Sequence, residues 1–198
     1  MTSSPALFEA ITTLRGLKQR LRSGWVKRGV KNVESVAEHS WRAGLMAYML
    51  APEGYDRNKM LLMGCVHDLC EIFDEDYTPL DGITKEEKEK REKKAAAKFL
   101  ELLPPSQRDE WKSVWEEVEA RETKESKFVK EVEVLEMVFQ ALEYEKENNF
   151  EKDLTEFLET SRKRITHPVL VAYFNEIDKR WPAEAKKKFD ASTHTYSY

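Results

Sequence analysis

Apolar residues recur along this chain at intervals of three and four, the repeat of a helix with one buried face. Residues 5–22 set Leu7, Ile11, Leu14, Leu17 and Leu21 on one stripe, behind Ser3, Ser4 and Pro5, which suit a helix start. Gly24 and Gly29 then bracket a loop, GWVKRG. Ser35 is placed to cap the next helix, with Glu38 as its capping-box partner. His39, Ala43, Met46 and Leu50 share the inner stripe of that helix, and Pro52 and Gly54 end it. A third helix is predicted from near Asp56, through Leu62, Cys65, Val66 and Leu69, to about Phe73. After the loop DEDYTPLDG, Thr84 caps a charged helix that runs to about Leu103. Pro104 and Pro105 stop it, and PSQRDEW opens another with Trp111, Trp115 and Val118. The stretch 125–148 carries Phe128, Val132, Leu135, Phe139 and Leu142 at core spacing. Helices over 153–165 and from Pro168 to Trp181 complete the pattern. No convincing β signal interrupts it. The expectation is a single all-α domain, a helical bundle over residues 1–182, followed by a polar tail, 183–198, that frays and includes His194.

Composition narrows the partners. A length of 198 residues is enough for one real core, and seven Gly with seven Pro are few, which favours long helices over a turn-rich β fold. The 33 basic and 37 acidic residues are interleaved, as in KEEKEKREKK, and give a net charge of only -4. No basic block is present to track a long polyanion, so a nucleic-acid polymer is not an expected partner, whereas a small phosphate ligand is compatible. No apolar stretch has the length of a bilayer, and the N-terminus lacks a basic segment followed by an apolar one. Cys65 and Cys70 lie five apart in one predicted helix, poorly placed for a disulfide. Two reduced thiols fit the cytoplasm, with the nucleus as the alternative.

One run departs from simple amphipathic logic. LLMGCVHDLCEIF embeds His67 and Asp68 in an apolar segment. An ionised aspartate among Val66, Leu69 and Ile72 is costly without a partner. On an α-helix the two side chains diverge by roughly 100° and still reach one ion between them. Glu71, four after His67 and three after Asp68, overhangs the same face. With His39 they make a nitrogen and oxygen donor set suited to a divalent cation. Singly, each has a plainer reading: His39 as a hydrogen-bonded core histidine, Glu71 as an exposed helix charge.

The ordered set EH at 38–39, HD at 67–68 with Glu71, and DYTP at 76–79 resembles the HD-domain superfamily of metal-dependent phosphohydrolases. The segments GWVKRGV at 24–30, ESVAEHSWR at 34–42 and KFVKEVEVLEMVFQALEYE at 127–145 look like the HD-domain 5′-deoxynucleotidase family, over about residues 7–180. The resemblance implies one divalent metal ion (Co, Mn, Mg, Zn or similar) held by His39, His67, Asp68 and Glu133. Glu133 stands where that family has aspartate, and Glu136 shares its helix face. The resemblance further implies that Glu71 positions or deprotonates the attacking water and that Asp76 is a second acidic residue near the phosphate. Glu75 stands where the family usually has glycine. Trp25 and Arg28 match substrate-pocket positions, Arg28 toward phosphate oxygens and Trp25 toward sugar or base, with Arg22 and Lys27 as lesser phosphate candidates. The implied reaction is hydrolysis of deoxyribonucleoside 5′-monophosphates by a homodimer, with the Trp111–Trp115 helix or the 128–142 helix as candidate interfaces. Two alternatives are another HD nucleotide phosphohydrolase and a degenerate HD domain that binds nucleotide or a partner without turnover.

Overall fold

The long 125–148 stretch has apolar groups on several sides, and a helix apolar on several sides belongs at the centre of a bundle. In the computed structural model, which describes residues 5–188, it forms α8 (Lys124–Glu147), capped by Thr123 and closed by Asn148 in the left-handed conformation. Val129, Val132, Leu135 and Val138 on it are wholly buried. Around it lie α4 (Val36–Leu50), α5 (Arg57–Val66), α7 (Pro105–Ala120), α9 (Thr155–Ser161) and α10 (Pro168–Arg180). A second layer, α1 (Pro5–Thr13), α2 (Arg15–Gln19) and α6 (Lys85–Leu102), closes one side, and α3 (Ser23–Lys27) bridges toward α4. The all-α reading therefore stands. Among the described residues there is no strand, only an isolated antiparallel bridge between Leu21 and Ser35.

Four local departures from the sequence reading matter. The predicted helix over 5–22 ends at Gln19, because Arg20 is extended. Val36 N–H donates to Arg20 O at 2.8 Å and Arg22 N–H to Glu34 O at 3.0 Å, so pairing between segments wins over local periodicity. The GWVKRG segment is not all loop, since Ser23–Lys27 is helical. The predicted 56–73 helix stops at Val66; Asp68 leaves helical geometry (φ -94°, ψ 19°) and a 3₁₀ turn, Leu69–Ile72, follows. The tail begins ordered: Ala183–Lys188 forms α11, tied back by Lys186 on Asp178 at 2.6 Å. Residues 189–198, His194 included, lie outside the described residues.

Two packed clusters make the core. The larger gathers around α8 and includes Val66; the smaller joins α1, α2, α6 and α7 and includes Leu69. The chain thus crosses from one cluster to the other at His67–Asp68. Helices α4 and α5 meet backbone to backbone, since a methyl built on Gly64 would lie 2.6 Å from Gly44 Cα.

Candidate metal centre

His39 sits in the first turn of α4. The predicted capping box is present: Ser35 Oγ accepts from Glu38 N–H, and Glu38 Oε2 accepts from Ser35 N–H at 2.6 Å. That start fixes the helix and so the direction of His39. His67 is the C-cap of α5 and Asp68 the residue after it, where a helix terminus contributes partial negative charge that favours a cation.

Both imidazoles are buried, at 2% and 3% exposure, and both use Nδ1 for an acceptor. His67 Nδ1 donates to Gly64 O at 2.8 Å, and His39 Nδ1 donates to the Glu136 carboxylate. The two Nε2 atoms are left facing one another at 3.3 Å. Asp68 Oδ2 lies 3.1 Å from His67 Nε2 and 3.8 Å from His39 Nε2. His39, His67 and Asp68 form one of two clusters among the described residues whose ligand atoms all lie within 4.8 Å of one another. Donors around a tetrahedral ion at about 2.0–2.1 Å stand roughly 3.3 Å apart, so the spacing fits a small divalent cation. Two lone pairs and a carboxylate converging in a buried space need either protons or a cation between them.

Without a cation, protons serve. Burial pulls the His67 imidazolium down, but Asp68 and Glu133 outweigh it and push it up to about 9. Burial likewise raises Asp68, yet His67, Arg22 and His39 hold its carboxyl well below the usual range.

Glu71 lies one 3₁₀ turn after Asp68, with Glu71 N–H donating to Asp68 O at 3.0 Å. Residues three apart eclipse in a 3₁₀ helix, so the two carboxyls share a face more directly than on the predicted α-helix. Burial, then the charges of Asp68 and Asp76, raise Glu71 well above an ordinary carboxyl. One of its oxygens is buried with no hydrogen-bond partner among the described residues. Asp76, 8% exposed, accepts from Ser23 N–H at 2.6 Å and from Arg22 at 3.2 Å. Arg22 also reaches Asp68 Oδ2 at 3.4 Å, so one guanidinium joins the Asp68 and Asp76 carboxylates. Glu75 faces solvent and accepts from Arg20 at 3.0 Å.

Glu133 stands outside the three-residue cluster. Its Oε1 is buried without a hydrogen-bond partner, 4.0 Å from His67 Nδ1, while its other oxygen lies 3.3 Å from Lys130. Trp25 and Arg28 are engaged away from the cluster. Trp25 is 2% exposed, packs on Tyr144 and Phe157, and donates to Glu34 at 2.8 Å. Arg28 pairs with Glu156 and lies over Phe157. Lys27 donates to Thr78 and Asp81.

A profile of the HD domain matches residues 14–171. The chain belongs to the HD domain family. Named relatives of this HD domain include the Mus musculus protein called 5′-deoxynucleotidase HDDC2, 34% identical over 176 residues, which are 89% of this chain and 88% of the relative. The Schizosaccharomyces pombe 5′-deoxynucleotidase hdd1 is 33% identical over 183 residues, 88% of this chain and 92% of its own. A Pyrococcus horikoshii crystal structure superposes with TM-score 0.72 at 27% identity, covering 87% of this chain and 99% of that one. A Magnetospirillum magnetotacticum protein named a predicted metal-dependent phosphohydrolase superposes at 0.65 with 27% identity, covering 89% of this chain and 95% of that one.

Proposed function

We propose that this HD domain is a metal-dependent 5′-deoxynucleotidase that hydrolyses deoxyribonucleoside 5′-monophosphates to deoxynucleoside and phosphate. The observation that carries the chemistry is the convergence of His39 Nε2, His67 Nε2 and Asp68 Oδ2 in a buried space, with both Nδ1 atoms already committed. The substrate class comes from the relatives' names. His39, His67 and Asp68 are proposed as ligands of one divalent ion, with Glu133 as the fourth once its Oε1, now 4.0 Å from His67 Nδ1, turns toward the Nε2 side. When bound, the ion lowers the pKa of water and offsets phosphate charge.

The chain's own residues supply the rest. Glu71, its carboxyl raised by burial and then by Asp68 and Asp76, lies beside the cluster and suits exchanging a proton with the attacking water. The water oxygen bonds to phosphorus as the bond to the 5′ oxygen breaks, and that oxygen leaves with a proton. Asp76, fixed by Ser23 N–H and Arg22, positions water or supplies that proton. Arg22 is the cation beside the cluster and the better phosphate partner. Trp25 and Arg28 are proposed as substrate-side residues held in place by Glu34 and Glu156.

We also propose a homodimer. Trp115, Phe128, Leu135 and Leu142 are buried in the chain's own core, whereas Trp41, Leu45, Tyr48 and Met49 form an exposed stripe on α4. The two free thiols, Cys65 and Cys70, suit a cytoplasmic setting.

The test is phosphate release from deoxy- and ribonucleoside monophosphates by metal-stripped protein reloaded with single divalent ions. Release from deoxynucleotides is expected. Metal binding without release from any monophosphate would overturn the reading and favour a binding domain, to which Glu133's place outside the cluster also points.

A further inference from the structure

Glu136 is wholly buried on α8, yet it is not among the residues that face the Nε2 side of the histidines. Its two oxygens have separate partners. Oε2 accepts from His39 Nδ1. Oε1 accepts from Arg42 Nε at 2.7 Å and lies 2.6 Å from Arg42 Nη2. Arg42 is itself fixed by Gln140 at 2.7 Å and Glu143 at 2.8 Å. Arg42 lies three residues after His39 on α4, and Gln140 and Glu143 lie four and seven after Glu136 on α8. The chain from surface to imidazole therefore stitches the two helices together and ends on one ring nitrogen.

We propose that Glu136 is a positioning residue of the metal centre: it fixes His39 as the Nδ1–H tautomer, aims Nε2 at the ion, and increases the basicity of that nitrogen. A carboxylate behind a ligating histidine does this in general, and its loss typically costs about 10- to 100-fold in metal affinity. The alternative, that Glu34, His39 and Glu136 hold an ion of their own, is opposed by Arg42, whose charge already occupies one Glu136 oxygen. His67 is fixed differently, by the neutral carbonyl of Gly64. The two histidines are thus held by different partners, a carboxylate behind His39 and a carbonyl behind His67.

The inference rests on the proposed metal centre, and the test separates the two. Divalent-ion affinity is measured by calorimetry on metal-stripped parent and Glu136→Gln, with Co²⁺ and Mn²⁺ as probes. Nitrogen-15 spectra of histidine-labelled protein report the His39 tautomer in each. The expected result is a Kd raised about 10- to 100-fold in Glu136→Gln, with His39 no longer held as Nδ1–H and the helical content kept. Unchanged affinity and an unchanged His39 tautomer in a folded variant overturn the proposal. If Glu136→Gln does not fold, Arg42→Gln, at a partly exposed position, tests the same chain. There a several-fold weaker ion affinity is expected, and parental affinity overturns the proposal. Failure of the parent itself to bind either ion overturns the metal-centre reading instead.

Discussion

Glu71, on the turn after Asp68, and Glu136, behind His39, are both buried glutamates, and their carboxyls are driven in opposite directions. Glu136 is pushed up by burial, but His39 and Arg42 more than reverse this, so it stays ionised. Glu71 meets the same burial with Asp68 and Asp76 as neighbours and only Arg22 in opposition, so it keeps its proton far longer. Burial sets the size of the stakes; the sign is set by which charges share the space. The difference separates the carboxylate proposed to fix geometry from the one proposed to exchange a proton.

The contrast can be broken at several points. The largest effect is expected at Glu71. Glu71→Gln removes the exchangeable proton while keeping shape, so turnover should fall about 10²- to 10⁴-fold with ion affinity near parental; parental turnover in a phosphate-release assay would remove Glu71 from the chemistry. At Glu133 the effect should fall on the ion. Glu133→Ala should weaken binding by at least roughly 100-fold in calorimetry, and Glu133→Asp should retain the ion. If both bind like the parent, Glu133 is no ligand. A smaller effect is expected at Glu34, a third glutamate whose carboxyl burial and Glu136 raise to about 7, against the hydrogen bond from Trp25. A carboxyl raised on folding stabilises the fold at low pH and loses that contribution as pH rises from about 4.5 to about 7. Metal-stripped Glu34→Gln should therefore show a flatter fall in stability across that window, by up to roughly 3 kcal/mol at pH 8 in urea melts. The smallest effect concerns the outer face of α4. Trp41→Glu with Met49→Glu should shift the sedimenting species from dimer to monomer and leave thermal stability of the protomer within about 0.5 kcal/mol.

The helical character was legible from apolar stripes and from cap residues: Ser35 and Thr84 accept from the backbone three residues on, as read, and Thr123 does the same for α8, which the stripe alone had marked. The break at Asp68 was not, because the apolar pattern runs unbroken from Leu61 to Ile72 and the turn is tightened by partners far away in sequence. Adjacency of His67 and Asp68 exposed the centre of the site. Arg22 was legible only as a lesser phosphate candidate, since its pairing with Asp68 and Asp76 joins residues 46 and 54 positions away. Glu136 carried a faint signal, a glutamate in the apolar run VLEMVF. Trp25 went to the core because α3 is a helix and not a mobile loop.

The crossing of Gly44 with Gly64 has a consequence for ion choice. His39 lies five residues before one glycine and His67 three after the other, and Gly64 also supplies the carbonyl that orients His67. The gap between the imidazoles is thus set by how closely two backbones approach, not by side chains free to adjust. A single methyl on Gly64 would meet Gly44 Cα at 2.6 Å and force the helices apart. In the proposed metal centre, the distance between the two imidazoles is therefore set in part by two absent side chains.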